Sequence, residues 1–254
     1  MGPLGFYNTC LKTDRLDETV AFYRRLGFAP VGEDAPGLRV SLANGGDTLT
    51  FMTFLDADLI NFRGAHIHRL MEEIQAAGVA VTGYNEMPEQ QPLRLDEDGE
   101  PLPDNECGHF TVHDPDGHEL FFNTHPHERA PFEAALAGSV GERDQADGSL
   151  GRLVYCLDVM DLDASLAFYR SLGLRGLREG DGAWITPRAQ HRGAHFLLRL
   201  RESRKAGSWL RFYGSDGNVS LLRSLGFSRD AFAWRGADPD GRRLEFVPES
   251  TLPR

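Results

Sequence analysis

Apolar positions along this chain follow two rhythms. Over residues 16–28, LDETVAFYRRLGF, Leu16, Val20, Phe22, Tyr23, Leu26 and Phe28 gather toward one side at helical spacing, while Glu18, Arg24 and Arg25 stay wet. Residues 162–174, LDASLAFYRSLGL, repeat the arrangement. Each stretch predicts an amphipathic helix. Gly27 and Gly173 stand where a left-handed cap favours glycine. Thr19 and Ser165, inside the helices, are expected to bond back to the preceding turn. Alternating segments surround both helices and predict strands: YNTCLKT and VYCLDVM before them, GLRVSLA, DTLTFMTF, GAWIT and AHFLLRL after them.

The same order recurs further along. LINFRGA predicts a strand, HRLMEEIQAAGV a helix, and VAVTGY, GHFTVHD and HELFFN three more strands. In the second half, WLRFY, NVSLLRSLG, FAWRGA and RRLEFV give strand, helix, strand, strand. The pattern therefore predicts four strand–helix–strands modules in two pairs.

The two helical phrases are identical at eight of thirteen positions without a gap, and each is followed by DPDG, at 114–117 and at 238–241. Pro and Gly suit that tetrapeptide to a tight turn. So long a period indicates a duplicated domain, since solenoid repeats run roughly 20–50 residues. From Phe22 to Asp114 is 92 positions, but from Phe168 to Asp238 only 70, so the second half is shorter by 22. The surplus falls in residues 85–107, a Pro-rich acidic stretch that predicts a long loop. The expected division is a first domain over 1–125, a linker over 126–150 and a second domain over 151–254.

Composition narrows the class of molecule. Hydrophobic content of 41% and charged content of 26% suit a water-soluble globular protein. No run approaches the ~18 apolar residues of a membrane helix, and the start, MGPLGFYNTC, does not read as a signal peptide. Three cysteines suit a reducing cytoplasm better than a disulfide framework. A net charge of −11 argues against nucleic acid and anionic membrane as partners. Oligomeric state is left open between monomer and homodimer.

From Asp161 to Gly173 the second phrase reads D-L-x-x-S-x-x-F-Y-x-x-L-G; the first carries Arg15 and Thr19 in the D and S places. With a strand before it and DPDG after it, this resembles the vicinal oxygen chelate superfamily. That superfamily holds glyoxalase I, fosfomycin and bleomycin resistance proteins and extradiol dioxygenases. The resemblance covers nearly all of 5–125 and 151–248. It implies an α+β fold of four βαβββ modules, paired into two half-barrel domains, each around one pocket. It does not fix the activity, because the fold hosts lyases, isomerases, dioxygenases, transferases and binding proteins.

The resemblance also implies four metal positions, one of them on the strand ending the first module; the three read here are on the first strand, at the start of the second module's first strand, and four residues after the Gly of DPDG. In this chain those positions are Asn8, Leu59 and Phe121 in the first half, and Val154, Trp209 and Glu245 in the second. A divalent ion needs at least three converging N or O donors. Only Glu245 is a good donor and Asn8 a weak one, so no metal and no cofactor is expected. Seven of the histidines lie in the first half, at 66, 68, 109, 113, 118, 125 and 127, and are expected to be solvated or locally bonded.

Strand alternation then gives the expected pocket lining. Asn8, Cys10, Lys12, Asn61, Arg63 and Phe121 face the first pocket, with Leu59 beside them. Trp209, Arg211, Tyr213 and Glu245 face the second, with Val154, Cys156 and Asp158. Arg211 is expected to pair with Asp158 and Glu245, and Lys12 is a candidate to activate the Cys10 thiol. Three functions remain open. The favoured one is metal-free binding of a small organic molecule in one or both pockets. The alternatives are a metal-dependent lyase, isomerase or ring-cleaving dioxygenase with an atypical ligand set, and a structural duplicate with filled pockets.

Overall fold

The computed structural model describes residues 5–32, 35–63, 67–86, 98, 108–124, 150–186, 198–214 and 219–248. The first half runs β1 (Gly5–Lys12), α1 (Leu16–Arg25), β2 (Ala29–Pro30), β3 (Arg39–Asn44), β4 (Asp47–Met52), β5 (Leu59–Arg63), α2 (Ile67–Ala76), β6 (Thr82–Glu86), β7 (Gly108–His113) and β8 (Glu119–Thr124). The second runs β9 (Arg152–Val159), α3 (Leu162–Ser171), β10 (Arg175–Glu179), β11 (Gly182–Thr186), β12 (Leu198–Glu202), β13 (Gly207–Gly214), α4 (Val219–Ser224), β14 (Ser228–Arg229), β15 (Trp234–Ala237) and β16 (Arg243–Pro248). Each half forms one eight-stranded mixed sheet, ordered β2-β3-β4-β1-β5-β8-β7-β6 and β10-β11-β12-β9-β13-β16-β15-β14. The two modules of each half join through antiparallel pairing of their first strands, β1 with β5 and β9 with β13. This is an α+β fold of four βαβββ modules. Among the described residues no helix is long and apolar enough to cross a membrane. Nearly all of the loop expected at 85–107 and of the linker at 126–150 falls outside the described residues, as do His66, His125 and His127.

The three strands after each helix include short ones that the alternation did not indicate. β2 and β14 have two residues each, all exposed, and β10 is exposed at all but Gly176. A sheet edge of this kind buries no apolar row, so it leaves no period-two signal.

The helices form for the reasons their sequences give. Asp161 caps α3, its carboxylate accepting the backbone N–H groups of Asp163 and Ala164. Arg15, at the same place before α1, makes no side-chain cap. Both helices end alike. Gly27 and Gly173 take φ of 93° and 81°. Phe28 N–H reaches Tyr23 O at 3.0 Å, and Leu174 N–H reaches Tyr169 O at 3.2 Å. That is a Schellman closure, with the residue after the glycine buried as its apolar anchor.

One core runs through both halves. Leu11, Phe51, Phe62, Phe110 and Phe122 of the first sheet belong to the same buried cluster as Leu157, Leu200, Phe212 and Phe246 of the second, with helix residues Tyr23, Ile74, Leu166 and Tyr169. The helical phrase of each half is fastened to the DPDG turn of the other. Tyr23 donates to Asp238 and Tyr169 to Asp114, both at 3.1 Å. Thr19 donates to Asp240 at 2.7 Å and Ser165 to Asp116 at 3.3 Å. Ser165 also bonds back to Asp161 O, as expected; Thr19 spends its proton on Asp240 instead. The backbone N–H groups of Asp14 and Met160 donate to the same two turn carboxylates. After each turn a basic residue reaches a carbonyl of the other half's first strand: Arg242 donates to Lys12 O at 3.0 Å, and the His118 ring lies 3.1 Å from Asp158 O. Arg242 also holds Asp58 of the first half, at 2.7 and 2.9 Å.

Candidate functional site

Ladder partners share a sheet face, so the registers assign the face turned away from the helices. In the first sheet, Cys10 stands opposite Thr50, which stands opposite Ser41; Asn8 opposite Asn61; Asn61 opposite Phe121; Phe121 opposite Thr111; and Asn123 opposite His109. None of these side chains belongs to the buried apolar core, which uses the alternate positions. In the second sheet the open face carries Val154, Cys156 and Asp158 of β9, Trp209, Arg211 and Tyr213 of β13, Arg243 and Glu245 of β16, Arg199 and Arg201 of β12, Trp184 of β11 and Arg235 of β15.

The first open face is polar and uncharged around Asn8 and Asn61, with Arg39, Glu119 and Arg63 at the strand ends of the same face. Asn8 donates its amide to Thr50 Oγ1 at 2.7 Å, and Thr50 lies 3.0 Å from Ser41 Oγ. The Cys10 thiol donates to Asn8 Oδ1 at 3.5 Å. Asn61 is only 7% exposed, and its Oδ1 is buried with no hydrogen-bond partner among the described residues. The same holds for Nδ1 of His109, whose pKa burial holds below its ordinary value, so the ring is neutral at physiological pH. Phe121 keeps partial exposure, and its ring centroid lies 5.2 Å from that of His109. Leu59 is buried beside Cys10. Arg63 ends β5 in register with Asn123.

Lys12 belongs to other surroundings. It lines a cavity of about 310 Å³ between the two halves, together with Asp14, Ala57, Asp58, Ser208, Asp240, Gly241 and Arg242. Its amine lies 3.9 Å from the exposed Asp14 carboxylate, while the Cys10 thiol is bonded to Asn8. The structure thus places the lysine's charge beside a carboxylate, where it is spoken for, and gives the thiol a neutral neighbour.

The second open face is filled and charged. Val154, Cys156, Trp184, Trp209 and Tyr213 form a separate buried cluster with Val247 packed on it. Arg201, Arg211 and Arg243 lie over the Trp209 ring at 5.1, 4.6 and 4.0 Å. Asp158 accepts both ends of the Arg201 fork at 2.9 Å and the Trp209 indole at 3.0 Å. Glu245, 2% exposed, accepts from Arg211 at 2.7 and 3.2 Å and from Arg235 at 3.1 Å. Burial raises its pKa, but the Arg211 hydrogen bond and charge, then those of Arg235, more than reverse this, so the carboxyl titrates below its usual range. Burial pushes the Cys156 thiol up to about 12, which removes it as a nucleophile. The expected pairing of Arg211 with Asp158 does not form: Glu245 is Arg211's direct neighbour in the parallel ladder, and Arg201 already occupies Asp158. Arg199, Arg201, Arg235, Arg243 and Trp184 were not read from the sequence. The alternation of LRLRE and RLEFV carries that signal, since the leucines turn to the core and the charges to the other face.

No family model matches the sequence, and no curated protein matches it. Solved structures do match the fold. A catechol 2,3-dioxygenase superposes with a TM-score of 0.61 at 14% identity, covering 100% of this chain and 97% of its own. Homoprotocatechuate 2,3-dioxygenase from Brevibacterium fuscum, in complex with 3,4-dihydroxyphenylacetate, gives 0.59 at 16% identity, covering 96% of this chain and 79% of its own. A Mn(II)-bound glyoxalase from Novosphingobium aromaticivorans gives 0.58 at 14% identity, covering 97% of this chain and 82% of its own. The chain therefore shares its fold with these dioxygenases and this glyoxalase, in keeping with the resemblance read from the sequence.

The residues at the positions where such a fold would hold a metal do not fit one. In the second half Val154 and Trp209 offer no donor, and the Glu245 carboxylate is held by two arginines with Arg243 3.8 Å away. A dication brought there meets cations, not free donors. In the first half Leu59 and Phe121 are apolar, and the Asn8 amide is bonded to Thr50 and Cys10. Among the described residues no three His, Cys, Asp or Glu side chains are placed so that they could hold a metal ion.

Proposed function

We propose that the first open face binds a small, uncharged organic molecule carrying a hydrogen-bond donor, and that the chain works as a binding protein without a metal. The halves 1–125 and 151–254 act as its two domains, with the ligand in the first. The observation that carries this reading is the Asn61 amide oxygen, buried and without a partner among the described residues. A buried acceptor left unsatisfied costs about 1–3 kcal/mol, and a ligand hydroxyl removes that cost. The neutral His109 ring and the partly exposed Phe121 ring offer a planar molecule an apolar surface beside the amide. The ladder neighbours of Asn61, Asn8 and Phe121, carry no charge, which favours an uncharged ligand at that point. The aromatic diol bound by the Brevibacterium enzyme suggests hydroxylated aromatics as the first class to try.

The test is a thermal-shift and calorimetric screen in EDTA with catechol, phenol and toluene. Catechol or phenol is expected to raise the melting temperature and toluene not to, because toluene brings no donor for Asn61. Asn61→Leu is expected to abolish the shift while unfolding cooperatively on its own. No response to either phenol, or an undiminished response in Asn61→Leu, refutes the reading.

A further inference from the structure

The carboxylates beside Trp209 do not balance the arginines there. Asp158 is committed to the Arg201 fork and to the indole N–H. Glu245 is committed to Arg211 and Arg235, and Arg235 takes Asp230 as well. Arg243 is left over. Its carboxylate contacts are Asp158 Oδ2 at 3.5 Å and Glu245 Oε1 at 3.8 Å, and among the described residues its buried Nε makes no hydrogen bond. An ordinary charge-assisted bond from a guanidinium is about 2.7–2.9 Å, so neither contact is one. Burial, and next the Arg201 charge, lower the pKa of Arg243, as expected of a cation beside a cation. Yet the side chain is 35% exposed and that of Arg201 30%, so both can be reached from solvent. The guanidinium carbon also sits 4.0 Å from the Trp209 ring centre, a cation–π contact that holds the head over the ring.

We propose that Arg243, steadied on Trp209 and flanked by Arg201, is the anchor of an oxyanion site in the second half that takes the carboxylate or phosphate head of a small anion. A planar fork with an unfilled N–H matches the two oxygens of such a head. The site is separate from the first open face and does not depend on what binds there. The cluster of Trp184, Trp209 and Tyr213 leaves the floor filled, so only the head of the ligand enters between the arginines.

The full-length protein is titrated at constant ionic strength with sodium benzoate and, separately, sodium phosphate, by calorimetry and tryptophan fluorescence. At least one anion is expected to bind saturably. Arg243→Gln weakens that binding tenfold or more, and Asn61→Leu leaves it unchanged. Response to benzoate alone identifies a carboxylate head, and response to phosphate alone a phosphate head. Should Arg243→Gln fail to fold, Arg243→Lys keeps the charge without the fork and is expected to lose at least threefold. No saturable binding of either anion, binding undiminished in the Arg243 variants, or binding lost in Asn61→Leu overturns the proposal.

Discussion

Glu245 shows how one side chain changes meaning with its neighbours. A strand-end glutamate four residues past DPDG reads as a metal ligand if histidines accompany it. Here Arg211 and Arg235 claim both its oxygens, and its role is to hold charge inside the second half. Its depressed pKa fixes the sign of a pH effect. A carboxyl that titrates lower in the fold than in the open chain stabilises the fold above about pH 4.3, its unfolded value, and loses that contribution as pH falls through the folded value. Glu245→Gln is therefore expected to lower stability at pH 7 by about 2 kcal/mol, the scale of a hydrogen bond to a charged group. The gap between variant and wild type should narrow as pH drops below 4. Urea midpoints at pH 7 and in the acid range read both; a gap that widens in acid contradicts the ion-pair account.

Between elements, backbone approach decides what the sequence tolerates. Gly151 has φ of 79°, and a Cβ on it would meet Tyr213 O at 2.0 Å, where the entry to β9 crosses the end of β13. Gly180 also has positive φ, 59°, but nothing lies within 4 Å of its Cβ position. Gly180→Ala is expected to cost about 1 kcal/mol from backbone strain alone, and Gly151→Ala at least twice that, because strand backbone must move as well. Equal shifts in urea midpoint for the two variants would contradict this. The same scale shows what was legible in advance. Helices, central strands and the four-module order follow from periodicity, since Leu11, Phe51, Phe122 and their neighbours bury one face each. The charged network on the second open face was half legible. WLRFY revealed Trp209, Arg211 and Tyr213, but the other arginines of the network come from β12, β15 and β16, and a register between distant strands leaves no mark in one sequence. The unsatisfied state of Asn61 was not legible at all, because it depends on what fails to approach.

At the scale of the whole molecule, the two repeated phrases acquire a shared meaning. Each half repeats helix and DPDG, yet the contacts join the helix of one half to the turn of the other, so neither copy is complete alone. The two clasps are not equivalent. Asp238 Oδ2 accepts from Tyr23 and also from Arg242 Nη1, whereas Asp114 Oδ2 accepts, among the described residues, from Tyr169 alone. Burial holds both carboxyls, Asp114 and Asp238, above their usual range, so the two turns differ in their donors and not in their solvation. Removing a donor from a buried oxygen that keeps another partner costs less than leaving that oxygen with none. Tyr169→Phe is accordingly expected to destabilise the protein by about 2–3 kcal/mol and Tyr23→Phe by about 1 kcal/mol. Because the core is continuous and both clasps cross between halves, each variant should still unfold in one transition, with tryptophan fluorescence, which reports only the second half, coinciding with far-UV circular dichroism, which reports both. Two separated transitions, or a larger loss in Tyr23→Phe than in Tyr169→Phe, would mean that the halves stand independently and that the clasps are decoration on two self-sufficient sheets.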